Sequence, residues 1–94
     1  MRLDPTTKKT LLEIFNSVDP AARVFLFGSR ANDHARGGDI DLLIDSDRLT
    51  MQDLRRARLR IYDQIGEQKI DCLLKKNVSP AFLKVIEEEG LVPL

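Results

Sequence analysis

Two carboxylates spaced for one face of a β-strand, Asp39 and Asp41, are the first residues in the sequence that suggest chemistry. Alternate strand residues point to opposite faces, so both carboxylates share one face and Ile40 takes the other. The two charges repel each other, and a bound divalent cation relieves that repulsion. Mg²⁺ suits such oxygen ligands and often completes its shell with substrate phosphates. Taken alone, the spacing is more typical of a solvated strand end, as we expect for Asp45 and Asp47.

A Gly-Ser pair and a third acid strengthen the case for a site. Gly28 follows an apolar run and allows close backbone approach to a ligand, while Ser29 and the next amides offer donors to phosphate. Gly-Ser after a strand is by itself a turn, but here it ends the strand before the acidic pair. Asp71 lies among apolar residues of a later strand, where we expect an unpaired carboxylate to be costly and to require a cation.

The elements that must position these residues follow from apolar periodicity and from capping residues. Three helices, three strands and a short edge strand are predicted, in the order α-β-(turn)-β-α-β-α. The helices cover 5–18, 50–65 and 80–89, the strands 23–27, 39–44 and 69–74, the loop 30–38, and the edge strand 91–94. This pattern predicts an α/β or α+β domain in which helices cover a sheet.

Apolar stripes indicate which helix faces should be buried. In the second helix, Met51, Leu54, Ile61 and Ile65 fall on one side. In the last helix, the predicted buried stripe is formed by Phe82, Val85 and Ile86. Cys72 should point away from the sheet face that carries Asp71, which predicts a buried structural thiol.

The composition predicts one small domain over residues 1–94. Fifteen basic and fifteen acidic side chains cancel, so direct binding to nucleic acid is not expected. The single cysteine excludes an intramolecular disulfide, and no apolar run is long enough to span a bilayer. The N-terminus has no secretory signal, so we expect a cytoplasmic protein.

The combined motif resembles a known superfamily. Gly28-Ser29-Arg30-Ala31, then Asp39-Ile40-Asp41-Leu42, then a strand with Asp71 is similar to the signature of the DNA polymerase β-like nucleotidyltransferases. The resemblance covers nearly the whole chain and is strongest to the minimal nucleotidyltransferases (MNT), the antitoxins of HEPN–MNT toxin–antitoxin pairs. It implies the polymerase β-like core, a small mixed sheet of three to four strands covered by helices.

The resemblance also implies roles for individual residues. Asp39 and Asp41 would hold two Mg²⁺ ions, and Asp71 would complete the second, catalytic ion and help to deprotonate the attacking hydroxyl. The reaction would be nucleotidyl transfer with release of pyrophosphate. Two metal ions suit this chemistry because they stabilise both the attacking and the leaving oxygen of an in-line displacement.

For phosphate binding, the resemblance assigns Gly28 and Ser29 to the outer phosphates and adds Arg30 as a further contact. The donor would be ATP and the acceptor a tyrosine of a HEPN toxin, so that AMPylation silences a toxin RNase. A chain this short would hold the transfer chemistry, while the acceptor would arrive on another molecule. Two positions depart from the pattern: Asp33 replaces a common glycine, and Gly38 replaces a common serine.

Other residues and other functions stay open on the sequence alone. The arginines of 55–60 suit RNA, triphosphate or an acidic partner, although a solvated helix face is the simpler interpretation. His34 in the loop and Tyr62 on the second helix are better explained as incidental and as packing residues. One alternative function is an inactive antitoxin that acts by binding. Another is an Asp-x-Asp phosphatase, which the order of acids and apolar residues disfavours.

Overall fold

The computed structural model describes residue 3 and residues 5–28, 40–66 and 69–94. Within them the order of elements agrees with the sequence prediction. The helices are α1 (Pro5–Val18), α2 (Met51–Ile65) and α3 (Pro80–Glu89), a 3₁₀ turn spans Lys75–Asn77, and the strands are β1 (Arg23–Phe27), β2 (Ile40–Asp45), β3 (Ile70–Leu74) and β4 (Val92–Pro93). None of the helices in these ranges has the length and apolar character needed to cross a membrane.

The four strands form one mixed sheet in the order β3-β2-β1-β4. β1 is antiparallel to both β2 and β4, whereas β2 and β3 are parallel and are joined through α2. β4 lies at the edge, where Pro93 is tolerated because no further strand needs its missing N–H. The predicted α+β class and the small mixed sheet are confirmed.

The first face of the sheet carries the main core. Alternate strand residues such as Leu26, Leu42 and Ile44 are fully buried and cluster with residues of α1 and α2. The helices contribute Leu11, Ile14, Phe15, Leu54, Ala57 and Ile61 to this cluster. Burying a leucine or phenylalanine side chain stabilises the fold by about 1.5–3 kcal/mol. The strand residues between these core positions therefore face the other side.

Local hydrogen bonds fix the boundaries of α2 and α3. Thr50 caps α2, since its hydroxyl accepts from the Asp53 N–H at 3.2 Å and the Asp53 carboxylate accepts from the Thr50 N–H at 2.9 Å. This capping box is a sequence-local device. Ser79 caps α3 in the same way, accepting from the Phe82 N–H at 3.2 Å, and Pro80 occupies the first helical turn. The predicted start of α3 is confirmed, and α2 begins one residue after its predicted start.

A buried hydrogen-bonded pair joins the end of α1 to the end of β2. Ser46 Oγ donates to Asp19 Oδ2 at 2.6 Å and accepts from the Arg48 and Leu49 N–H groups at 3.1 and 3.0 Å. The bond from Ser46, followed by one from the Ala21 N–H, lowers the pKa of Asp19 below its ordinary value. This pair anchors the sheet end remote from Asp41 and Asp71.

The position of the last helix is inferred from the sheet topology and from burial. This helix joins β3 at one edge to β4 at the other, while α1 and α2 occupy the first face. Ten helical residues span about 15 Å, close to the width of four strands, about 14 Å. Leu43 on the second face and Ile86 of α3 are both fully buried and both lie outside the main cluster. We therefore place α3 over the second face.

The predicted buried faces of α2 and α3 are partly wrong. Ile86 is buried, but Phe82 and Val85 are 48% and 46% exposed. Because the other two described helices lie on the first face of the sheet, α3 buries only a narrow line of side chains and its flank faces solvent. In α2, Leu54 and Ile61 are buried as predicted, whereas Met51 at the first position is 53% exposed.

Candidate functional site

The structure describes half of the predicted site residues. Gly28 directly follows β1, Asp41 is the second residue of β2, and Asp71 is the second residue of β3. Ser29, Arg30 and Asp39 lie outside the described residues, as do the loop residues 33, 34 and 38.

The strand register brings the two described acids together. Asp41 pairs with Asp71 across the parallel strands and with Phe27 across the antiparallel ones. Directly paired residues point to the same face of a sheet, and neighbouring strands are about 4.8 Å apart. Asp41 and Asp71 are thus adjacent carboxylates on the second face. The two acids lie at the end of the sheet where β1 ends and where β2 and β3 begin.

Gly28 is packed against the Asp41 carboxylate. Its φ of +72° lies in the left-handed region that favours glycine. A Cβ at this position would collide with Asp41 Oδ2 and would lie 3.3 Å from Asp41 Cγ. The sequence predicted a close backbone approach at Gly28, and the structure shows that the approach is to an acidic side chain. A residue other than glycine at position 28 would displace the Asp41 carboxylate.

The two acids differ in exposure. Asp41 is partly buried and Asp71 is exposed. The expectation that Asp71 sits among core residues is therefore wrong, because its neighbours in sequence, Ile70 and Cys72, face the first side of the sheet. Asp71 favours a nearby positive charge because it lies beside Asp41, and not because it is buried. The exposed carboxylate is open to molecules from solvent.

The pair fits a hard divalent cation. Adjacent carboxylate oxygens are the ligands that Mg²⁺ prefers, and one or two of them, with water and phosphate, complete its shell. No cluster of three or more His, Cys, Asp or Glu side chains suited to a metal occurs within residues 5–28, 40–66 and 69–94. A third ligand would therefore have to come from outside the described residues, and Asp39 is the one that the sequence predicts.

Apolar side chains flank the acids on the second face. Phe27 lies directly across from Asp41, and the next row along the strands consists of Phe25, Leu43 and Leu73. Sequence reasoning missed Phe27 as a neighbour of the acids. The pairing of two strands separated by a 12-residue connection, 28–39, cannot be read from their residue patterns alone.

The other residues that the sequence singled out lie away from Asp41 and Asp71. Cys72 packs against the main core, and burial raises the pKa of its thiol to about 12, in agreement with the predicted structural role. Tyr62 also packs against the main core, as predicted. The arginines of 55–60 are exposed on α2, which covers the opposite face of the sheet, and Arg60 donates to Ser17 Oγ at 3.0 Å. They do not line the site.

Residues 8–92 match the family model described as nucleotidyltransferase domain. The match covers most of the chain and includes every predicted site residue. No curated protein matches the chain.

Proposed function

The chain belongs to the nucleotidyltransferase family, and from that premise we propose that it transfers AMP from ATP to a hydroxyl of a second protein. In this reaction the acceptor oxygen forms a bond to the α-phosphorus. The bond from that phosphorus to the bridging oxygen of the β-phosphate breaks, and pyrophosphate leaves. The observation that supports the proposal best is the adjacency of Asp41 and Asp71 beside Gly28.

Asp39, Asp41 and Asp71 are the proposed ligands of two Mg²⁺ ions. Two of these carboxylates are paired in register on one sheet face, which suits such ions, and Asp39 is included on its spacing. When bound, the ions stabilise the charge that develops on the attacking and leaving oxygens. Asp71 is exposed, so its carboxylate oxygen can reach the acceptor hydroxyl and accept its proton.

Gly28 has a positioning role in this proposal. Because it has no side chain, the Asp41 carboxylate can lie against its backbone. Ser29 and Arg30 are proposed to bind the outer phosphates of the nucleotide, on the resemblance of the Gly-Ser-Arg motif.

The proposed acceptor is a tyrosine of a HEPN toxin, which makes the chain an antitoxin. The exposed position of Asp71 supports an acceptor carried on a macromolecule, since such a hydroxyl must approach from outside. AMPylation of the toxin would then abolish its RNase activity.

Transfer of label tests the proposal. The purified chain is incubated with Mg²⁺, each of four α-labelled nucleoside triphosphates, and the protein encoded by the neighbouring gene, which the proposal expects to be a HEPN toxin. We expect label on a partner tyrosine, with ATP preferred. The matched control is Asp45→Asn, because Asp45 is on the same strand and face as Asp41 but at the other end, paired with Lys75 at 3.7 Å.

Two outcomes separate this proposal from its alternative. Absence of label with every nucleotide would refute it. If Asp39→Ala/Asp41→Ala neutralises the toxin as well as the natural chain does, the antitoxin acts by binding alone.

A further inference from the structure

The exposed flank of α3 combines apolar and acidic side chains. Phe82 and Val85 are exposed, and Glu88 and Glu89 follow them by three or four residues on the same side of the helix. We call these four residues the acidic flank. The glutamates stand at the negative end of the helix dipole, where anionic side chains are destabilising. Among the described residues no cation forms an ion pair with either of them.

The outer side of α2 has the opposite charge. Leu59 is 67% exposed, and Arg55 and Arg56 lie one turn before it on the same side. We call these three residues the basic face. Neither arginine forms an ion pair within the part of the chain that the structure describes. Within the described residues neither surface has an ion-pair partner, although α3 also carries Lys84 one turn before the glutamates and α2 carries Asp63 one turn after Leu59.

The two surfaces match each other in spacing when the helices run antiparallel. In α3 the apolar residue Val85 precedes the acid Glu89 by four positions, and in α2 the base Arg55 precedes the apolar Leu59 by four. Four residues rise about 6 Å along each helix. An antiparallel packing therefore places Val85 on Leu59 and Glu89 on Arg55 at once. A parallel packing would instead place a charged side chain of one helix against the leucine of the other.

We propose that the acidic flank of one molecule docks on the basic face of a second copy of this chain. α2 and α3 cover opposite faces of the sheet, so one molecule cannot bring its own two surfaces together. The contact joins two different surfaces and is heterologous, so it extends to chains or closes to rings instead of stopping at a two-fold dimer. The patches are small compared with the roughly 1,200 Å² of a stable interface. Association is therefore weak and is seen at high concentration.

Sedimentation velocity tests the proposal. The chain is measured at concentrations from roughly 10 µM to 1 mM, the range in which weak contacts form. We expect the average mass to rise above one chain with concentration in low salt and to fall in high salt. Glu88→Lys/Glu89→Lys and Arg55→Glu/Arg56→Glu should each weaken association on the order of 10-fold or more. An equimolar mixture of the two variants should associate again, because each presents the surface that the other lacks.

The matched control is Glu87→Lys, which lies on the other side of α3 and should leave association unchanged. Circular dichroism and melting curves establish that each variant is folded. The proposal is overturned if the natural chain is a monomer throughout the range, if the charge reversals have no effect, or if the mixture fails to associate. It is also overturned if association appears only on addition of RNA or another protein.

Discussion

Replacing Gly28 by alanine tests how the site holds its central carboxylate. The new Cβ would occupy the place of Asp41 Oδ2, while Asp41 Cγ would be 3.3 Å away. To reach ordinary contact distance the carboxylate must turn away by about 1 Å, and a displacement of that size in an active site can cost about 10²-fold in rate. We expect nucleotidyl transfer by Gly28→Ala to fall by this order.

The same substitution also has a cost in stability. Alanine at a φ of +72° costs about 1–2 kcal/mol relative to a right-handed conformation. For a domain of this size each kcal/mol lowers the melting temperature by about 4–8 °C. The Asp41 side chain can rotate, so most of the stability loss should come from the backbone. Activity must therefore be measured well below the lowered melting temperature.

Gly66→Ala is the matched control. Gly66 also has a positive φ, +85°, but a Cβ there would have nothing within 4 Å. We expect Gly66→Ala to lose stability and to keep its transfer rate. The reasoning is refuted if folded Gly28→Ala transfers nucleotide at the natural rate, or if Gly66→Ala loses activity to the same extent.

Two further predictions concern groups outside the site. Ser46→Ala removes the hydrogen bond that lowers the pKa of Asp19. Because that folded-state pKa is depressed, its contribution to stability is present at neutral pH and is lost as the pH falls below about 4. The difference in melting temperature between the natural chain and Ser46→Ala should therefore shrink between pH 7 and pH 2, and a constant difference would contradict this. For Cys72, a pKa near 12 instead of 9.0 leaves about 10³-fold less thiolate at pH 8. Labelling by a thiol reagent should be slow in the native protein and fast in urea, and equal rates would exclude a buried thiol.

Features fixed by neighbours in sequence were predictable. The caps at Thr50 and Ser79 act within three residues, so the starts of α2 and α3 are readable from the sequence and agree with the structure to within one residue. The edge position of the last strand followed from Pro93. The motif acids Asp41 and Asp71 were also found from the sequence alone.

Features that depend on distant parts of the chain were not predictable. The sequence around Asp71 is apolar, but exposure depends on which sheet face the residue takes and on what covers that face. Phe82 and Val85 have the spacing of a buried stripe, yet α3 buries only Ile86 fully, because the other described helices lie on the opposite face of the sheet. The contact of Gly28 with Asp41 depends on the register between β1 and β2, which no local pattern specifies.

The central claim is that Asp41 and Asp71 form one reaction site, and transfer by Asp71→Asn tests it most directly. Asp71 is exposed, so the substitution should change stability by less than about 0.5 kcal/mol. Loss of a main electrostatic group should lower transfer of labelled AMP on the order of 10²-fold or more. Asp45→Asn, at the other end of the same face, should transfer at the natural rate. Full activity in Asp71→Asn, or an equal loss in Asp45→Asn, would contradict the account.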